Sequence, residues 1–142
     1  MLKGIPTILN PDLLKIMMEM GHGDEIVISD GNFPGASIAQ RLVRIDGNTV
    51  PEVLDAFLKF FPLDPYVKSA VGLMQVVKGD KVETPIWEEY RKIVKKHDPK
   101  FVDFEMIERF EFYERAKKAY AVITTGETAL YANIILKKGV VV

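Results

Sequence analysis

The 142-residue sequence predicts an α/β fold, with one domain over residues 1–142 layered α/β/α about a central mixed sheet. Three observations lead there. Helical and strand-like segments alternate from one end of the chain to the other. The strand segments are short apolar runs, the pattern of strands buried beneath helices. No repeat, low-complexity tract or linker divides the chain.

The elements follow in order. Asn10 is a good N-cap and Pro11 stands at the first helical position. The helix carries Leu13, Leu14, Met17, Met18 and Met20, then stops at Gly21. Glu25–Ser29 reads as a strand ending at Asp30, and Asn32-Phe33-Pro34-Gly35 as a loop. Leu42–Ile45 is a second strand, closed by Asp46-Gly47. Thr49, Pro51 and Glu52 form a capping box with proline at the first helical position. Leu54, Phe57, Leu58 and Phe61 give that helix its apolar face, and Pro62 ends it.

Residues 70–77 read as a third strand. Thr84-Pro85 opens a helix with Ile86, Trp87, Tyr90 and Val94, and 104–107 is a short strand. A helix over 110–118 is supported by Glu111–Arg115 and Glu114–Lys118 at i,i+4, pairs worth only about 0.2–0.5 kcal/mol each. Strands at 119–124 and 133–136 close the chain, with Gly126 turning between them. Strand order does not follow from the pattern.

Composition narrows the function. Apolar residues make up 48% and charged residues 27%, with a net charge of −1, so neither a nucleic-acid stripe nor an acidic tail is present. Cysteine is absent, which excludes disulfides and thiolate chemistry and suits a reducing cytoplasm. Pro6, Asn10, Pro11 and Asp12 break any leader-like apolar core, and no run is long enough for a membrane helix. Two distant histidines with scattered carboxylates make a poor zinc set. Neither a GxxxxGK[ST] loop nor a G-x-S-x-G elbow occurs.

A few residues remain for chemistry. His97, beside Lys95, Lys96, Asp98 and Pro99, reads as a solvated helix-end residue. His22 lies in Gly21-His22-Gly23-Asp24, where flanking glycines leave space beside the imidazole. It serves either as an acid/base group or as a loop histidine near a helix C-cap. Asp30 ends a strand, where open α/β sheets gather ligand groups, and it equally suits an Asx-turn. Asp24 and Asp64 read most simply as turn residues. Arg109 offers a planar fork of donors to sugar oxygens, or an ion pair with Glu108 or Glu111. Tyr113 fits half-buried packing as well as proton transfer. Tyr131 and Asn133 precede the last strand and either cap its edge or face a ligand.

Three spaced motifs resemble the fucose mutarotase and ribose pyranase family. They are Met20-Gly21-His22-Gly23-Asp24-Glu25-Ile26 with Ser29-Asp30 and Asn32-Phe33-Pro34; Ile107-Glu108-Arg109-Phe110-Glu111-Phe112-Tyr113-Glu114-Arg115-Ala116; and Thr125-Gly126-Glu127 with Tyr131-Ala132-Asn133 and Lys137-Lys138-Gly139-Val140. The resemblance spans nearly the whole chain and is weakest over 78–104. The pyranase pattern carries His in place of Arg109 and Lys in place of Tyr113, so both positions resemble the fucose branch. Ala132 departs from it by one methyl, since fucose-type relatives often carry Gly.

The resemblance implies an isomerase that interconverts the anomers of free L-fucose, without metal or cofactor. It implies a ring-shaped homo-oligomer, often a decamer of two stacked pentamers, with sites near subunit boundaries. His22 matches the family's acid/base histidine. Asp30, Arg109, Tyr131 and Asn133 match sugar-contacting positions, and Tyr113 and Asp64 match positions with a catalytic role in the animal enzymes. Two alternatives stay open: a D-ribose pyranase acting on ring size, and a non-catalytic monosaccharide-binding protein. Neither nucleic acid nor membrane is an expected partner.

Overall fold

In the computed structural model, which describes residues 1–142, three of the five helices start where a side chain satisfies a free amide. Asn10 Oδ1 accepts the Leu13 N–H at 2.9 Å and opens α1 (Pro11–Glu19), which buries Leu13, Ile16 and Met17. Glu52 reaches back to the Thr49 N–H at 2.7 Å and opens α3 (Val50–Leu58). Val50 takes the first helical position there, so Pro51 stands second, one place later than the spacing suggests. A single turn, α2 (Gly35–Ile38), occupies part of what reads as loop. In α4 (Ile86–His97), Ile86, Tyr90 and Val94 recur every four residues and are buried. Glu108 caps α5 (Arg109–Lys118), accepting the Phe110 N–H at 2.9 Å and the Glu111 N–H at 3.1 Å.

Six strands form one mixed sheet: β1 (Glu25–Ser29), β2 (Leu42–Ile45), β3 (Val71–Met74), β4 (Glu105–Ile107), β5 (Ala121–Thr125) and β6 (Ile134–Lys137). Their order is β2-β5-β1-β6-β3-β4. β1 pairs with β5 and β2 with β5 in parallel, as do β3 and β4. Only β6 runs against its neighbours, β1 and β3. The carboxyl ends of five strands and the start of β6 therefore meet along one end of the sheet.

Alternation along the strands divides the core into two layers. Ile26, Ile28, Val43, Leu73, Ile123, Ile134 and Leu136 pack with the apolar faces of α1, α3 and α4. Val27, Met74, Ile107, Val122 and Ile135 face the other way and pack with Phe112 and Ala116 of α5 and Ile38 of α2. Glycine is needed at two turns for different reasons. A Cβ on Gly126 would lie 2.1 Å from the Asp46 carbonyl oxygen, and Gly23 adopts φ +87°.

Several expectations are corrected. The third strand ends at Met74 because its neighbour β4 ends at Ile107; the Gln75 N–H makes the last bond across that pair, to the Ile107 carbonyl (2.7 Å). The fifth strand starts at Ala121, two residues late. The i,i+4 pairs of α5 do not form. Arg115 bridges instead to Glu25 (2.6 Å) and Glu105 (2.9 Å), and Glu114 pairs with Lys117 (2.7 Å). Half-buried tertiary partners outcompete an exposed helical pair. His97 is not a solvated residue: it packs against α3 with Nε2 2.7 Å from Asp55 Oδ1. No helix is long and apolar enough to cross a membrane.

Candidate functional site

At the carboxyl end of the sheet the chain gathers a buried polar group. Asp30 follows β1 and is only 6% exposed. Its amide donates to Asn133 Oδ1 at 2.9 Å, so the start of antiparallel β6 is locked to the end of β1. Its Oδ1 accepts the Asn32 N–H at 2.9 Å, which closes an Asx-turn. The turn reading of Asp30 is borne out, and its place just past the end of β1 is the place the ligand reading requires. Burial pushes the Asp30 carboxyl above the ordinary carboxylate value, against hydrogen bonds from Asn32, Phe33 and Asn133, and the neighbouring Glu127 carboxylate pushes the same way.

Glu127 was not marked as a candidate by the sequence. It is buried beside Asp30, its carbonyl accepts the Gly31 N–H at 2.9 Å, and its Oε1 accepts the Thr128 and Ala129 amides, each at 2.9 Å. A carboxylate two residues after a strand end, beside a glycine, is the signal that would have found it.

Tyr131 has φ 55°, the one non-glycine residue at positive φ. That conformation costs about 1–2 kcal/mol and persists only where neighbours enforce it. Trp87 Nε1–H donates to the Tyr131 carbonyl at 2.8 Å, and the Tyr90 hydroxyl donates to the Ala132 carbonyl at 2.7 Å. In sequence, Trp87 and Tyr90 read only as apolar residues of a helix. The polar tips of buried Trp and Tyr seek partners, and this was the overlooked signal. Burial, with nearby Glu127, Asp30 and Glu89, pushes the Tyr90 phenol up, so it remains a donor.

Arg109 and Tyr113 open α5 at the same end of the sheet. The Arg109 guanidinium lies 5.5 Å from the Phe110 ring and 5.8 Å from the Tyr113 ring, and the residue is exposed, not ion-paired with Glu108 or Glu111. Tyr113 packs on Phe33 with ring centroids 5.6 Å apart, and Phe33 meets Phe112 edge-on at 6.1 Å.

His22 and Asp64 lie at the other end. His22 precedes β1, where the Gly23 N–H donates to the Lys138 carbonyl past the end of β6 (2.8 Å). His22 Nε2 stands 3.2 Å from Asp64 Oδ1, and its ring lies 5.6 Å from that of Tyr66. The imidazole is 46% exposed, whereas the Asp64 side chain is 5% exposed. Burial alone would raise the Asp64 carboxyl, but the Tyr66 N–H, His22 and Lys137 outweigh it and hold it below the ordinary value. Asp64 is thus both a turn residue, bonded to the Tyr66 N–H at 3.0 Å, and the partner that orients His22. Asp24 is structural, accepting the Gly21 N–H at 2.7 Å.

One strand separates the two groups. From Asp24 to Asp30 the chain rises six residues, about 20 Å at roughly 3.3 Å each. Within one copy, the structure unites Asp30, Arg109, Tyr113, Tyr131 and Asn133 and, separately, His22 with Asp64. No three His, Asp or Glu side chains form a group able to hold a metal ion.

Residues 3–141 match the model of the RbsD / FucU transport protein family. The chain belongs to that family. It is 52% identical over 145 residues to the fucose mutarotase of Homo sapiens, covering 98% of this chain and 94% of that one. Among solved RbsD / FucU structures, the fucose mutarotase of Streptococcus pneumoniae in complex with L-fucose is 54% identical with a TM-score of 0.92, covering 99% and 100% of the two chains. The RbsD of Bacillus subtilis complexed with D-ribose shares the fold at greater distance, with 26% identity and a TM-score of 0.73 over the full length of both chains. Against these relatives, the Arg109 and Tyr113 branch reading agrees with the side to which the chain is most similar.

Proposed function

We infer that this protein is an isomerase that interconverts the α and β anomers of free L-fucose, with residues 1–142 acting as one mutarotase domain. Full-length similarity to fucose mutarotases carries the reading, and the ring-opening chemistry suits the side chains present. The ribose alternative is weaker because its bound relative is half as similar (26% against 54% identity). Pure binding would leave the ordered His22–Asp64 pair without use.

Anomerisation breaks the C1–O5 bond while the O1 proton leaves and O5 gains one. The open aldehyde turns about C1–C2, and O5 then attacks the other face of C1 as the protons return. No electrons leave the sugar. His22 takes one proton step, because imidazole both gives and accepts protons near neutrality. Asp64 holds its ring in place and stabilises the charged form. Tyr113, or a carboxylate such as Asp30, handles the opposite proton. Asp30, Arg109, Tyr131 and Asn133 bind and orient the sugar hydroxyls. Each placed proton donor or acceptor is worth roughly 10²–10⁴-fold in rate.

About 20 Å of strand between His22 and Asp30 cannot close over one monosaccharide. The site therefore forms between copies, the His22 end of one meeting the Asp30 end of another, as in a ring. A closed ring, including a decamer of two pentamers, satisfies every such interface. The Cys-free composition suits the cytoplasm. Exchange NMR of the L-fucose anomeric protons tests the function, with D-ribose as comparison and His22→Ala as control. Faster α/β exchange, lost in His22→Ala, is expected. Unaccelerated fucose beside faster ribose ring exchange would move the protein to the pyranase branch, and unchanged exchange in the variant would remove His22 from the mechanism.

A further inference from the structure

Between β3 and α4 the chain runs from Gln75 to Pro85 without regular structure, over the end of the sheet that holds Asp30 and Asn133. Two of its groups converge on one phenol. The Tyr131 hydroxyl donates to Asp80 Oδ2 at 2.7 Å and accepts the Val77 N–H at 3.3 Å. Asp80 itself is tied to the same turn by its N–H, which donates to the Val77 carbonyl at 2.9 Å. From below, Trp87 fixes the Tyr131 carbonyl at 2.8 Å, so the residue is gripped at its backbone and at its tip.

A phenol has one proton and two lone pairs. Asp80 takes the proton and Val77 takes one lone pair, so only a single acceptor position remains for a ligand. A carboxylate acceptor also leaves the phenol oxygen richer in charge and a better acceptor. The bond to Asp80 accordingly raises the Tyr131 phenol above its ordinary value.

We propose that Asp80 is a positioning residue for sugar binding: by holding the Tyr131 hydroxyl proton it fixes that side chain as a hydrogen-bond acceptor toward a sugar hydroxyl, and removes it from proton transfer. The proposal rests on the fucose reading for its ligand but not on turnover. It divides the two tyrosines of the site, since Tyr131 is committed to binding and only Tyr113 is left free for proton transfer. Asp80 is exposed and lies outside the core, so its removal leaves the fold intact.

The test is a double-mutant cycle on the full-length protein, read as the dissociation constant for L-fucose by saturation-difference NMR. Asp80→Ala weakens binding by roughly 3- to 10-fold, the worth of one released hydrogen bond. Tyr131→Phe weakens it similarly, and the double variant is no weaker than Tyr131→Phe alone. Asp80→Asn, whose amide oxygen still accepts the phenol proton, recovers most of the affinity. In exchange experiments KM rises in Asp80→Ala while the rate at saturating fucose is kept, as for a group that binds ground and transition states alike. The unfolding midpoint does not move. Unchanged affinity in Asp80→Ala, additive losses in the double variant, or a fall in the saturated rate instead of KM would each overturn the proposal. Absence of anomer exchange in the unmodified protein, with the binding cycle as expected, would refute the mutarotase reading and leave the role of Asp80 standing.

Discussion

Removing one buried acceptor, in Asn133→Ala, tests whether the site and the fold share an anchor. Asn133 is 5% exposed and Asp30 6%, and the Asp30 N–H to Asn133 Oδ1 bond of 2.9 Å joins β1 to the start of β6. Truncation leaves that amide without a partner in a place water barely reaches, and an unsatisfied buried donor costs about 1–3 kcal/mol. At this chain length, roughly 3 °C accompanies each kcal/mol, so the melting temperature falls by about 3–9 °C. The assay is urea and thermal unfolding at fixed protein concentration, with the slope of the urea transition unchanged. Fucose affinity falls in parallel, because the Asp30 carboxylate loses the group that fixes its backbone. A loss below about 0.5 kcal/mol, within the range of ordinary surface substitutions, would refute the reasoning.

Two further outcomes follow from the same geometry. Burial holds the folded Asp30 carboxyl above its ordinary 3.8, so the folded state binds that proton more tightly and stability falls as pH rises from the unfolded value through the folded one. Asp30→Asn removes this loss and keeps an oxygen for the Asn32 N–H; it should unfold at higher urea than the unmodified protein at neutral pH, flatten the acid side of the profile and bind fucose more weakly, as urea midpoints across that range will show. Mixing His22→Ala chains with Asp30→Asn chains, each impaired alone, should after dissociation and reassembly raise anomer exchange above either parent, because some interfaces then join two intact halves. Mixtures no more active than their parents would refute a shared site.

The helix caps were legible because they are local: Asn10 and the Thr49–Glu52 box need only residues three apart. Strand identity was legible from apolar runs, but not the sheet order, since placing β6 between β1 and β3 depends on register between distant segments. Surface pairs in α5 misled because Glu25 and Glu105, far off in sequence, claim Arg115. His97 misled similarly, its neighbours in sequence being charged while its partner in space is Asp55. The candidate residues were legible by type, yet their division was not drawn, although a strand between His22 and Asp30 already sets them at opposite ends. Trp87, Tyr90, Asp80 and Glu127 were missed because supporting groups reveal themselves only through the partners they reach.

β1 and β6 occupy the middle of the sheet, each bonded on both edges, and between them they carry Asp30, Asn133 and the turn that presents His22. Central strands open only when the whole domain opens, whereas edges and loops fray at little cost. The amides beside the chemistry are therefore among the last to exchange with solvent, and heating ends activity and fold in a single event. Variation that loosens the β2 or β4 edge can accumulate without reaching the sugar, while damage to the central pair has no partial form.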